Sequence, residues 1–139
     1  MKTKRLFMVV LVLSLAATLA ACAQATPVYA EGAEKDAVAA AVEPFAQNIV
    51  DGITSNDYTL FASDFDEAMK TAMTQEQFDK IVKMFSDYGT VESIELTNVM
   101  VAGDYYRANY TLTCEKKVVI MGVVVPMETK DAVSGLWFN

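Results

Sequence analysis

An α+β domain is what this sequence predicts, with helices in the first half and an antiparallel sheet in the second, and three observations carry that reading. Apolar residues recur at three- and four-residue intervals as far as Phe85, the period changes to two after Gly89, and turn residues cut the second half into strand-length pieces. Val38, Ala41, Phe45, Ile49 and Ile53 mark one apolar face of a first helix, with Gly52 near its end. Pro44 lies inside this pattern. A proline removes an amide donor and crowds the preceding turn, so the sequence predicts either a kink or a helix that starts near Pro44 with the preceding alanines weakly ordered.

Ser55-Asn56-Asp57 then breaks the pattern as a turn. A second, irregular helical region follows, in which Tyr58, Phe61, Phe65 and Met69 share a face that is interrupted around Ser63-Asp64. The third helix has the clearest signals. Thr74 and Gln77 form a capping-box pattern, Phe78, Ile81, Val82 and Phe85 supply the buried stripe, and Gly89 stands where a left-handed residue stops a helix.

The strands are read from alternation. Val91 to Val101 alternates only loosely, although its content favours a strand, and Ala102-Gly103-Asp104 turns the chain. Tyr105 to Glu115 alternates well: Tyr106, Ala108, Tyr110, Leu112 and Cys114 share the apolar side. After the charged bend Lys116-Lys117, the run from Val118 to Val125 is almost wholly apolar. That fits a strand covered on both faces, by helices on one and by a partner subunit on the other. Pro126 ends its pairing and Ala132 to Phe138 forms a last strand. The expected domain, residues 37–139, is therefore three helices laid across a curved antiparallel sheet of about four strands.

Before this domain the chain has a different character. Lys2, Lys4 and Arg5 precede an apolar run from Leu6 to Ala21, the end of which, with the next residue, makes the tetrapeptide Leu19-Ala20-Ala21-Cys22. These four residues resemble the lipobox of bacterial lipoproteins at every position. The resemblance implies that residues 1–21 are a signal peptide, and that Cys22 becomes the first residue and carries lipid of the palmitate type, anchoring the protein outside the cytoplasm. Two other readings compete: release as a soluble protein after cleavage at Val28-Tyr29-Ala30, or retention of the apolar run as an uncleaved anchor. Residues 22–36 contain few large apolar side chains and read as a flexible tether.

Charge and residue usage exclude several functions. The chain has 11 basic and 18 acidic residues, a formal charge of −7. Loss of residues 1–21 takes away three basic residues and no acidic one, leaving about −10, so nucleic acid is not an expected partner. There is no histidine, which removes histidine-based nucleophilic catalysis and histidine-ligated zinc. With Cys22 taken by lipid, Cys114 has no disulfide partner and reads as a small buried hydrophobe. No cofactor or metal site is expected: Asp64, Asp66 and Glu67 cluster oxygens but lack the glycine and spacing of a calcium loop.

The segments Asp57-Tyr58-Thr59-Leu60-Phe61, Phe65-Asp66-Glu67-Ala68-Met69-Lys70, Asp87-Tyr88-Gly89 and Ser134-Gly135-Leu136-Trp137-Phe138 together resemble the bacterial family catalogued as domain of unknown function 3887. That resemblance implies a cone-shaped fold like that of nuclear transport factor 2, in which a bent sheet and three helices enclose a pocket, commonly in dimers. The Val118–Val125 run is more apolar than that family suggests. Tyr106, Tyr110 and Trp137 are the residues expected to line such a pocket. Relatives in the wider superfamily are isomerases that use a carboxylate base with tyrosine or protonated aspartate donors, for which Asp64, Asp66, Glu67, Tyr106 and Tyr110 are the available residue types. No motif fixes that geometry, and helix capping and core filling account for the same residues. The expectation is thus a non-catalytic, lipid-anchored envelope domain that binds a small apolar ligand, a peptide or a protein partner, using a pocket for the ligand or peptide or its sheet to form a homodimer. A small isomerase or hydrolase and a structural subunit of an envelope complex are the alternatives.

Overall fold

The first helix continues through its proline. In the computed structural model, which describes residues 26–139, α1 runs from Gly32 to Ser55 and buries Val38, Val42, Ala46, Ile49, Val50 and Ile53. The break or late start expected at Pro44 is not observed. Pro44 and Ala40, whose carbonyl loses the amide it would otherwise accept, are both exposed, so water can satisfy the orphaned oxygen. At the far end Asn56 takes a left-handed conformation (φ 54°), and the Asp57 amide bonds back to the Gly52 carbonyl at 2.8 Å.

Gly52 is required there by close approach. A β-carbon on it would stand 2.5 Å from the Phe61 backbone nitrogen, where the short α2 (Tyr58–Phe61) crosses α1. The irregular region expected after α1 resolves into two helices, α2 and α3 (Glu67–Ala72). Asp57 caps the first by accepting from the Leu60 amide at 3.1 Å, and Asp66 caps the second by accepting from Met69 at 2.7 Å. Helix α4 (Gln75–Tyr88) starts at the Thr74 cap and stops at Gly89 (φ 86°), as its sequence indicates. Phe61 is the hub beneath these helices, with ring centroids 4.7 Å from Phe78 and 5.1 Å from Phe65.

Five antiparallel strands form the sheet in sequence order: β1 (Val28–Tyr29), β2 (Val91–Ala102), β3 (Tyr105–Cys114), β4 (Val118–Pro126) and β5 (Gly135–Phe138). Two expectations are corrected here. The sheet is open and not the cone implied by the family resemblance: β1 and β5 are its two edges, and strands of two and four residues are too short to meet and close it. The expected tether over residues 22–36 also fails from Val28 onward. Val28 and Tyr29 pair with Val101 and Met100, the Ala30 amide bonds to the Val99 carbonyl at 2.9 Å, and α1 begins at Gly32. The lipobox and Cys22 lie outside the described residues.

Two bulges explain the loose alternation of β2. Register shifts between Val91 and Ser93, and between Leu96 and Asn98, each insert one residue, so Val91, Ile94, Leu96, Val99 and Val101 all meet inward-facing partners on β3. Strand β3 has no such shift and buries the set read from its sequence, including Cys114, whose thiol is pushed up first by burial and then by the charge of Glu92. On β4, Val119, Met121, Val123 and Val125 are fully buried under the helices. Its second face is partly covered by the chain itself, since Gly122 lies beneath the Trp137 indole of β5.

Candidate functional site

The three residues expected to line one pocket do not share one. Tyr106 and Tyr110 sit on the inner side of β3, facing the helices, whereas Trp137 pairs with Gly122 and stands in the row of Asn109 on the outer side. Strand alternation separates them, because 106 and 110 share a parity on β3 and the register carries Trp137 to the other parity. Tyr106 is committed to structure: its hydroxyl donates to the Glu34 carboxylate on the first turn of α1, a bond that raises the phenol more than burial does. On the outer face the Arg107 guanidinium lies 5.4 Å from the Trp137 ring centroid, and the Trp137 Nε1 and Asn109 Oδ1 atoms are buried without partners.

Tyr110 is different. It is 3% exposed, its hydroxyl has no hydrogen-bond partner, and it lines a cleft of about 140 Å³ between α1 and β2. Ala39, Ala46, Ile94 and Leu96 form the apolar walls of this cleft, and Glu43 and Gln47 stand exposed at its rim. Burial, and after it the charge of Glu43, pushes the phenol up to about 12, so Tyr110 is a neutral hydroxyl that can both donate and accept.

The cleft is one end of a longer groove. Gln47 and Ile94 belong also to a neighbouring depression of about 310 Å³ that includes Asp51 and Glu92, and Thr54 and Val91 carry it on into a third of about 460 Å³ bounded by α4 and Gly89. From Ala39 to Thr54 the helical wall is about 22 Å long at 1.5 Å per residue, which matches roughly six or seven residues of extended chain. The opposite wall is the helix-facing side of β2 along the edge remote from β3. On that edge β1 pairs only with Met100 and Val101, and among the described residues no strand besides β3, on the other edge, pairs with residues 91–98.

The groove was only partly visible in the sequence. The strand pattern points to Tyr110, whereas Glu43 and Gln47 carry only the signal that Ala39, Glu43, Ala46 and Gln47 recur at three- and four-residue steps along α1. The carboxylates considered for catalysis lie elsewhere. Asp66 caps α3, Asp64 accepts from the Asn48 side chain at 2.8 Å, and Glu67 pairs with Lys70 at 3.2 Å on the surface. The Met69 amide, and then the Ser134 hydroxyl, hold the Asp66 carboxyl below the usual carboxylate range. Glu43 and Tyr110 do form a carboxylate–tyrosine neighbourhood, but its carboxylate is open to solvent and lacks the water-excluded setting in which such pairs act strongly. Among the described residues, no group of three or more acidic or cysteine side chains is placed to hold a metal ion, and no helix is long and apolar enough to cross a membrane.

No family model matches the chain, and no curated protein or solved structure matches it either.

Proposed function

We propose that this protein is a non-catalytic domain, anchored by lipid on Cys22 at the cell envelope, that holds a segment of a peptide or protein partner in the groove between α1 and β2. The observation that carries the reading is the coincidence of a continuous groove with the unpaired edge of β2 over residues 91–98. An extended segment laid on such an edge gains main-chain hydrogen bonds, while the facing helix reads its side chains. A small apolar ligand is less well served. The enclosed end, about 140 Å³, falls short of the roughly 300 Å³ at which pockets begin to take drug-sized molecules.

The anchor reading is supported by the tetrapeptide ending at Cys22 and by the place where the fold begins. Val28 is six positions after Cys22, a span of at most about 20 Å when fully extended, so an acyl group on Cys22 keeps the folded unit close to the bilayer. At Gly122 the outer side of β4 is covered by Trp137 of the same chain, so no partner subunit is needed at that position. Two measurements test the proposal. The intact mass of membrane-extracted protein is expected to correspond to a chain starting at Cys22 plus acyl chains; a chain starting at Glu31 contradicts the anchor. A displayed library of random seven-residue peptides is expected to enrich on the full-length protein but not on Ala39→Trp, which fills the groove. Equal enrichment on both contradicts the site.

A further inference from the structure

We infer that the enclosed end of this groove is a pocket for the ammonium group of a lysine side chain carried by an extended, basic segment of a partner protein; the inference rests on the groove reading above. Three features of the cleft point to that occupant. Its walls are the small and aliphatic residues Ala39, Ala46, Ile94 and Leu96, which suit a methylene stem. At its floor the Tyr110 hydroxyl is buried and unpartnered, an acceptor with no role in the fold's own hydrogen bonding. At its rim stands the Glu43 carboxylate, close enough for its charge to act on that phenol. An ammonium at the floor donates to the Tyr110 hydroxyl oxygen while the Glu43 charge at the rim attracts it.

Charge along the groove selects the partner. Asp51 and Glu92 continue the acidic lining beyond Glu43, and no lysine or arginine lines the groove over these two depressions. A second copy of the chain is a poor occupant, because the protein is net acidic and two copies repel. Glu92 and Glu95 on this strand repel an acidic segment while leaving the edge attractive to a basic one. Lysine fits better than arginine. The cleft is small, about 140 Å³, and the hydroxyl at its floor suits a compact ammonium better than a broad planar guanidinium, which finds its bidentate carboxylate partner only at the rim.

The test uses full-length protein and the peptides enriched from the random seven-residue library. The expected result is lysine at one fixed register of the enriched pool. Replacing that lysine by norleucine, which keeps the stem and removes the charge, is expected to weaken binding by about tenfold or more. Glu43→Gln and Tyr110→Phe are expected to weaken the lysine peptide several-fold while leaving the norleucine peptide unchanged. Both variants can be checked for folding by thermal melting, and Glu43 is exposed, so its substitution leaves the core intact. Enriched peptides without lysine, or norleucine peptides that bind equally well, overturn the lysine pocket and leave the groove standing. Spermidine competing at the same molar concentration as the peptide overturns the protein partner in favour of a free amine. If no peptide of any charge enriches, the groove reading itself fails and the pocket with it.

Discussion

The inner side of the sheet is built in two ways, and the contrast between β4 and β2 locates the site. On β4 and the adjoining part of β3, strict alternation puts Leu112, Val119, Met121, Val123 and Val125 under the helices with 0–1% of their surface exposed. On β2 the same inward-facing chemistry, Ile94 and Leu96, is only half-buried, because the groove separates it from α1. Uninterrupted register makes a closed core, whereas two bulges and a missing edge partner leave accessible surface. The β4 side of the sheet, together with Val99 of β2, closes the core, and the stretch around Ile94 and Leu96 leaves the proposed groove open.

Paired truncations give this contrast its largest test. Phe61→Ala is expected to cost about 3–5 kcal/mol and Leu112→Ala about 2–5 kcal/mol by urea denaturation, because both leave cavities in a fully packed core. Leu96→Ala, one strand away, is expected to cost about 1 kcal/mol, since only part of its surface leaves water on folding. Equal costs for Leu112 and Leu96 would mean that the groove is closed in solution. On the outer face, Gly122→Ala introduces a β-carbon that overlaps the Trp137 indole, so the ring must move. A loss of about 1–3 kcal/mol is expected, with a shift in the emission of the single tryptophan; unchanged emission would contradict the stacking of Trp137 on Gly122.

Smaller effects follow from titration. Asp66→Ala is expected to cost about 1 kcal/mol near neutrality through loss of the α3 cap. The Asp66 carboxyl is held low by the fold, so its contribution is present above the ordinary carboxylate pKa and is lost as pH falls through the lowered value. The difference between wild type and variant should therefore shrink in acid, and a constant difference would remove the cap as its cause. Tyr110 has the opposite sign. Its raised pKa means that stability is intact below the ordinary tyrosine value and falls as pH rises through about 12. Tyrosinate absorbance should show one tyrosine of six titrating last, and Tyr110→Phe should abolish that phase.

The sequence was most informative where one signal acted alone. The stripe from Phe78 to Phe85, its Thr74 cap and its Gly89 stop sit together in one helix, and the parity of β3 places Tyr106, Tyr110 and Cys114 correctly on one side. It was least informative where a distant contact decided. Val28-Tyr29 reads as tether because two residues carry no periodic signal and become a strand only by pairing with Val101 and Met100. The bulges in β2 blur its alternation, and closure into a cone is a property of edge lengths that a family resemblance does not fix. Trp137, expected in one pocket with Tyr106 and Tyr110, lies on the other face because the parity of β5 relative to β3 passes through the β4 register, which no local pattern reports.

Amide hydrogen exchange on the full-length protein, with and without an enriched peptide, tests the central claim most directly. The account predicts new protection at the β2 edge between Ser93 and Asn98 and on α1 between Ala39 and Thr54, with the outer face unchanged. Protection centred on Arg107 and Trp137, or none on β2, would contradict it.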